Sequence, residues 1–217
     1  LDPGNSTGYL SYAEHLGASG RHQKALDTIL KALELDPCNP GVNSQVSYAY
    51  AVTGNVEQAL KYLRIARDLG HPSAIYILID YEIDLGEFEE GRRLVAENAA
   101  EIGEDNADGY LRLIAAAEDP AKVDQYLAEE AQHVNEYPIW HAMDNVRLGR
   151  VDAGVHALTE ASIDGSDWMS LWVPGTELVR RHERFGELVR AAGLDDFWDE
   201  VGWPPQCSRN GDRITCD

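Results

Sequence analysis

Two cysteines near the end of the chain, Cys207 and Cys216, carry its clearest chemical signal. They bracket Ser-Arg-Asn-Gly-Asp-Arg-Ile-Thr, and Asn210-Gly211 is the strongest short hairpin signal in the sequence. A two-residue loop at Gly211-Asp212 sets Cys207 directly opposite Cys216. A loop at Asn210-Gly211 opposes Cys207 to Ile214 instead, so a bridge would need a diagonal reach. In either register a disulfide would staple the last hairpin and imply an oxidising compartment. Two free thiols would suit the cytoplasm, so the sequence leaves the location open: periplasmic with the bridge, cytoplasmic without it. Cys38 lies at a turn and has no partner nearby in sequence.

The other reactive residue types do not converge. His15, His22, His71, His133, His141, His156 and His182 fall on separate helices or turns, and neither C-x-x-C nor H-E-x-x-H occurs. No metal site is expected from such spacing. There is no G-x-x-x-x-G-K-[ST] or G-x-G-x-x-G phosphate loop and no G-x-S-x-G nucleophile elbow. Carboxylate runs such as Glu87-Phe88-Glu89-Glu90 and Asp195-Asp196 read as helix starts, where acids complement the helix dipole. Glu104-Asp105-Asn106-Ala107 lacks the spacing of a calcium loop. The reading is therefore non-catalytic, with no catalytic residues and no cofactor.

Charge narrows the partners. The 217 residues include 18 Lys and Arg against 38 Asp and Glu, a formal net charge of -20. Direct nucleic-acid binding needs a basic face, and an anionic membrane surface would repel this one. Hydrophobic residues make up 44% and charged residues 26%, as in folded proteins. The longest apolar runs, such as Ile75–Ile79, are far short of a membrane span. The start Leu1-Asp2-Pro3-Gly4-Asn5 lacks a leader pattern and an initiator Met, and reads as a segment excised from a longer chain.

The elements that must position any site show themselves as repeats. Leu1-Asp2-Pro3-Gly4-Asn5 recurs as Leu35-Asp36-Pro37-Cys38-Asn39, and Gly20 and Ala25 recur at the same 34-residue offset as Gly54 and Ala59. From Ser6 the first unit carries Tyr12, Ala13, Leu16, Gly20, Ala25, Ile29, Ala32 and Pro37. From Pro40 the second carries Val46, Ser47, Tyr50, Gly54, Ala59, Leu63 and Ala66. In this pattern the chain resembles the tetratricopeptide repeat family, a helix–turn–helix unit of 34 residues. Small residues let paired helices approach, and larger ones fill the space between units. Further units are read from Pro72 (Leu78, Ile79, Gly86, Gly91, Val95), from Asp108 through Pro120 to His133, and around Ala142, Gly149, Gly154, Leu158 and Ala161. The expected architecture is all-α: a right-handed superhelical solenoid of antiparallel helix pairs over 6–37, 40–71, 72–103, 106–133 and 135–162. An aromatic cap and a Cys-bearing hairpin then fill 163–217.

Four of the five tryptophans lie between Trp168 and Trp203, and Leu178 to Ala192 reads as one amphipathic helix ended by Gly193. Asp195 to Val201 forms a further short turn. Solenoids must cover their last apolar face, so this region reads as a cap, with an aromatic ligand pocket as the alternative. Arg180-Arg181-His182-Glu183-Arg184-Phe185, Gly193-Leu194, Phe197-Trp198 and Gly202-Trp203-Pro204 resemble endings of tetratricopeptide arrays. Such arrays are attached to bacterial winged-helix regulators of the CadC and ToxR-like type or to class III nucleotide cyclases. Glu183 stands where a Pro is common in that ending.

By the same resemblance the first helix of each unit lines a concave groove. The groove candidates are Ser11 and Glu14 in unit one, Gln45 and Tyr48 in unit two, Tyr76 and Asp80 in unit three, and Trp140 and Arg147 in unit five. The slots used for clamping a C-terminal carboxylate hold Leu10, Glu14, Ser44 and Gln45, which speaks against a chaperone-tail clamp. Aromatic and acidic groups together suit a protein or peptide segment bearing Arg or Lys. Tyr48, Tyr76 and Trp140 either line that groove or pack between repeats. The resemblance implies an interaction or sensing module of a bacterial regulator; a self-associating envelope scaffold and a small-molecule sensor built on the Trp-rich cap are the alternatives.

Overall fold

The computed structural model describes residues 2–133, 138–161 and 167–217. It is predominantly helical, with one two-stranded hairpin at the C-terminal end. Two compact units divide the chain, Leu1–Ile114 and Ala115–Asp217. The expected start of the fifth pair at 135, the boundary at 162/163 and the side chain of His133 lie outside the described residues.

The first unit contains α1 (Ser6–Ala18), α2 (His22–Leu35), α3 (Pro40–Val52), α4 (Val56–Asp68), α5 (Ala74–Asp84), α6 (Phe88–Ile102) and most of α7 (Glu104–Glu118). The recurring Leu-Asp-Pro-x-Asn is a turn-and-cap device. Asn5 Oδ1 accepts the Gly8 N–H at 3.0 Å, and Asn39 Oδ1 accepts the Val42 N–H at 3.1 Å. Each thereby satisfies a donor that the first helical turn leaves open. Both turns close the same way, with the Asn5 and Asn39 N–H groups donating to the carbonyls of Asp2 and Asp36.

Helix ends repeat as well. After α1 the Gly20 N–H donates to the Gly17 carbonyl at 3.0 Å, and the Arg21 N–H donates to the Leu16 carbonyl at 2.8 Å. The same pair of bonds recurs after α3, α5 and, in the second unit, at Gly149. Gly20 has φ 78°, left-handed backbone that costs a residue with a side chain about 1–2 kcal/mol. Between these ends Ala13, Ala32 and Ala49 are fully buried with Ile29, Val42 and Val46 in one core, so α1, α2 and α3 meet at small residues. Tyr50 stacks on Tyr62 at 5.7 Å across α3 and α4, and Arg64 on α4 pairs with buried Glu82 on α5 at 3.2 Å.

The second unit contains α8 (Val123–Glu130), α9 (Pro138–Arg147), α10 (Val151–Glu160), α11 (Asp167–Ser170), α12 (Glu177–Arg181), α13 (Phe185–Ala191) and α14 (Leu194–Val201). Pro120–Lys122 and Ala131–His133 form 3-10 turns on either side of α8. Where α9 and α10 cross, Gly154 has no room for a side chain: a Cβ would lie 2.8 Å from the Ala142 carbonyl oxygen.

The expected single helix from Leu178 to Ala192 is two helices. His182 takes an extended backbone, φ -64° and ψ 145°, and ends α12. Its Nδ1 accepts the Arg184 N–H at 3.1 Å while Nε2 lies 3.0 Å from Asp152 Oδ1. With Nδ1 accepting, the ring proton sits on Nε2 and is donated to Asp152 of α10. A side-chain contact from α10 thus fixes the corner without the proline that the resemblance leads one to expect.

Trp168, Trp172 and Trp198 are buried, and Trp168 meets Phe185 edge-on at 6.2 Å. The buried Arg180 guanidinium donates to the Leu171 carbonyl and to Thr176 Oγ. The final hairpin pairs β1 (Cys207–Asn210) with β2 (Arg213–Cys216) and sets Cys207 opposite Cys216. That register selects the Gly211-Asp212 loop, and the two cysteines form a disulfide. Ile214 is fully buried where β2 packs on α12 and α13. Cys38 is an exposed free thiol. Among the described residues no helix is long and apolar enough to cross a membrane.

The disulfide closes a short loop of ten residues from Cys207 to Cys216, with a sequence separation of 9. Under non-reducing alkylation, mass spectrometry is expected to label Cys38 only. Replacing Cys207 and Cys216 together by Ser is expected to lower unfolding free energy by about 2–3 kcal/mol, measured by chemical denaturation.

Candidate binding face

Six of the eight sequence-derived candidates lie on the first helices of the first unit. Ser11 and Glu14 are on α1, Gln45 and Tyr48 on α3, and Tyr76 and Asp80 on α5. They differ in environment. Ser11 is exposed; Glu14, Tyr76 and Asp80 are half-buried; Gln45 and Tyr48 are buried, at 5% and 9% exposure.

Tyr48 packs across α1. A Cβ on Gly17 would lie 2.8 Å from Tyr48 Cε1, so the ring occupies the space that a side chain would fill. Ser11, Glu14 and Gly17 are three residues apart and share one stripe of α1, so Glu14 is one turn from the Tyr48 ring. Gln45 is one turn before Tyr48 on α3, and its buried Nε2 has no hydrogen-bond partner among the described residues. An amide left so costs about 1–3 kcal/mol unless a water or ligand oxygen receives it.

Burial pushes the Glu14 carboxyl above the ordinary range, with neighbouring His15 opposing. The ionised form is therefore less favourable in the folded protein than in the unfolded chain. On α5, the Tyr76 hydroxyl donates to the Ile102 carbonyl at 3.5 Å, and its ring meets Tyr110 of α7 at 6.4 Å. Tyr76 is thus anchored at its tip while its ring stays half-exposed.

The remaining two candidates belong to the second unit. Trp140 on α9 is 52% exposed. Arg147 donates to Asp144 Oδ1 at 3.1 Å, and Tyr126 of α8 donates its hydroxyl to Asp144 Oδ2 at 2.6 Å. Burial and the Asp144 charge push the Tyr126 phenol up, which keeps it protonated as donor. This triad joins α8 to α9, so Arg147 has a structural bond to make.

Sequence reading missed Gly17, Tyr110, Tyr126 and Asp144. Gly17 carried a usable signal, because a glycine inside a helix often marks a close approach. Asp144 carried one too, since Arg147 follows it by three residues on α9; Tyr110 and Tyr126 had none, since their partners are 18 or more residues away. Among the described residues no three His, Cys, Asp or Glu side chains converge as metal ligands. No protein-family model, curated protein or solved structure matches this chain.

Two outcomes follow for this face. Gly17→Ala is expected to cost about 1–3 kcal/mol in urea unfolding, and most of that cost should vanish in a Tyr48→Ala background. Glu14→Gln is expected to raise Tm by about 1–2 °C at pH 7.5. The sign follows from a carboxyl pushed upward: its penalty is absent below its ordinary value and complete above its raised one. The gain should accordingly disappear in melts at pH 3.5.

Proposed function

We propose that this chain is a non-catalytic peptide-binding module, a tetratricopeptide-like solenoid whose first helices receive an extended, basic segment of a partner protein. The observation that carries this reading is the Glu14–Gln45–Tyr48 group: a partly desolvated carboxylate, an unpartnered buried amide and a tyrosine ring on adjoining first helices. The carboxylate and the amide each cost something in folding, and polar groups kept at a cost are typical of sites. On each helix the polar residue lies one turn before the contact: Glu14 three residues before Gly17, and Gln45 three residues before Tyr48. A guanidinium or ammonium would relieve the carboxylate, and a peptide carbonyl would receive the amide.

The buried tryptophans of the second unit favour a closing cap over an aromatic ligand pocket. A charge of -20 opposes self-association through like surfaces. The Cys207–Cys216 bridge suits an oxidising compartment, as the sensing region of an envelope-facing bacterial regulator would require.

A peptide array scored for binding tests this. Extended peptides carrying Arg or Lys are expected to be selected over their Gln counterparts. Glu14→Gln with Asp80→Asn should weaken the best binder five- to tenfold without lowering Tm. Equal binding of basic and neutral peptides, or an unchanged affinity in that double variant, would refute the proposal.

A further inference from the structure

A second candidate surface lies on α14, in the second unit. At 3.6 residues per turn, Leu194, Phe197, Trp198 and Val201 form one apolar arc of this helix. The arc is wider than the unit's own core uses. Trp198 is fully buried at its inner edge, while Phe197 and Val201 remain 41% and 47% exposed. The two are one turn apart and sit side by side.

Acids border this pair. The helix has no basic residue, and Asp196 and Glu200, both exposed and one turn apart, lie together along one side of Phe197, about 100° and about 60° from it around the helix axis. No cation among the described residues pairs with either of them. Asp199 differs: it accepts the Trp203 indole N–H at 2.8 Å and both of its oxygens accept from Arg209, at 2.9 and 2.7 Å. Arg209 also lies over the Trp203 ring at 5.0 Å, and Trp203 meets Trp198 at 5.1 Å. Through these contacts the inner side of α14 is held to the disulfide-closed hairpin. The exposed side is therefore presented by a preorganised helix, which reduces the entropy that a partner must overcome.

We propose that the outer side of α14, centred on Phe197 and Val201 with Asp196 and Glu200 along one side, docks an amphipathic basic helix of a partner protein. Large apolar side chains of that helix would cover the pair, and Lys or Arg would meet the acids. Charge selects this occupant. A second copy of the chain brings -20 to the same place, with the same acids facing each other. An anionic lipid surface is repelled on the same ground. The proposal does not depend on the peptide-binding reading of the first unit.

Amide-resolved NMR titration of the full chain with a 14-residue Leu/Lys amphipathic helix tests it, with a Leu/Glu helix as control. Saturable shifts centred on 194–201 are expected for the Leu/Lys helix and none for the Leu/Glu helix. Phe197→Ser with Val201→Ser should weaken that binding at least tenfold. Asp196→Lys with Glu200→Lys alters only exposed side chains and keeps the core intact; it should weaken binding comparably and reduce its salt dependence. Shifts spread over the acidic surface, or shifts confined to α1, α3 and α5, would overturn the proposal. So would unchanged affinity in both double variants, or sedimentation showing a dimer that either double variant dissolves.

Discussion

Close approach of helix backbones at small residues is the constraint on which the rest of this structure depends. Ala13, Ala32 and Ala49 are fully buried where α1, α2 and α3 meet, and Gly154 leaves no room even for a methyl group between α10 and α9. Larger side chains at these points would push the helices apart and open voids around Ile29 and Val46. Helix ends must then be sharp, because a fraying turn would carry the next helix away from its neighbour. Glycine C-caps and asparagine N-caps supply that sharpness, and they recur in the same order.

Against this frame, polar groups that fit poorly become informative. Among the described residues Gln45 keeps a buried donor without a partner and Glu14 has no cation bonded to it, whereas Glu82, whose carboxyl burial pushes up as it does that of Glu14, has Arg64. The Tyr126–Asp144–Arg147 triad is of the satisfied kind and holds two helices together. The contrast separates side chains that serve the fold from those that the fold tolerates.

The C-terminal region solves a different problem. Its helices are short, from four to eight residues, and cannot be stable by themselves. Cross-links replace length: a disulfide, the His182–Asp152 contact, the buried Arg180 and the Asp199–Arg209–Trp203 group. Two of these, His182–Asp152 and the Asp199–Arg209–Trp203 group, fix a ring, so the cap is held largely by polar bonds around buried tryptophans.

Local chemistry was legible in the sequence. The 34-residue offset, the asparagine caps, the glycine stops and the alanine positions all act within a few residues of the chain, and their physics is written in residue type and spacing. The predominantly helical class follows from them. So do the two possible registers of the last hairpin, but not the choice between them, which the pairing of Cys207 with Cys216 decides. The candidate face was partly legible: its helices and residues could be named, but not that Tyr48 turns inward onto Gly17 while Tyr76 keeps its ring half-exposed. Only tertiary structure could break the helix at His182, bring Tyr126 to Asp144, or leave the Phe197–Val201 pair outside the core. Each of these depends on what a distant segment brings to the same place, and periodicity along one chain carries no information about that.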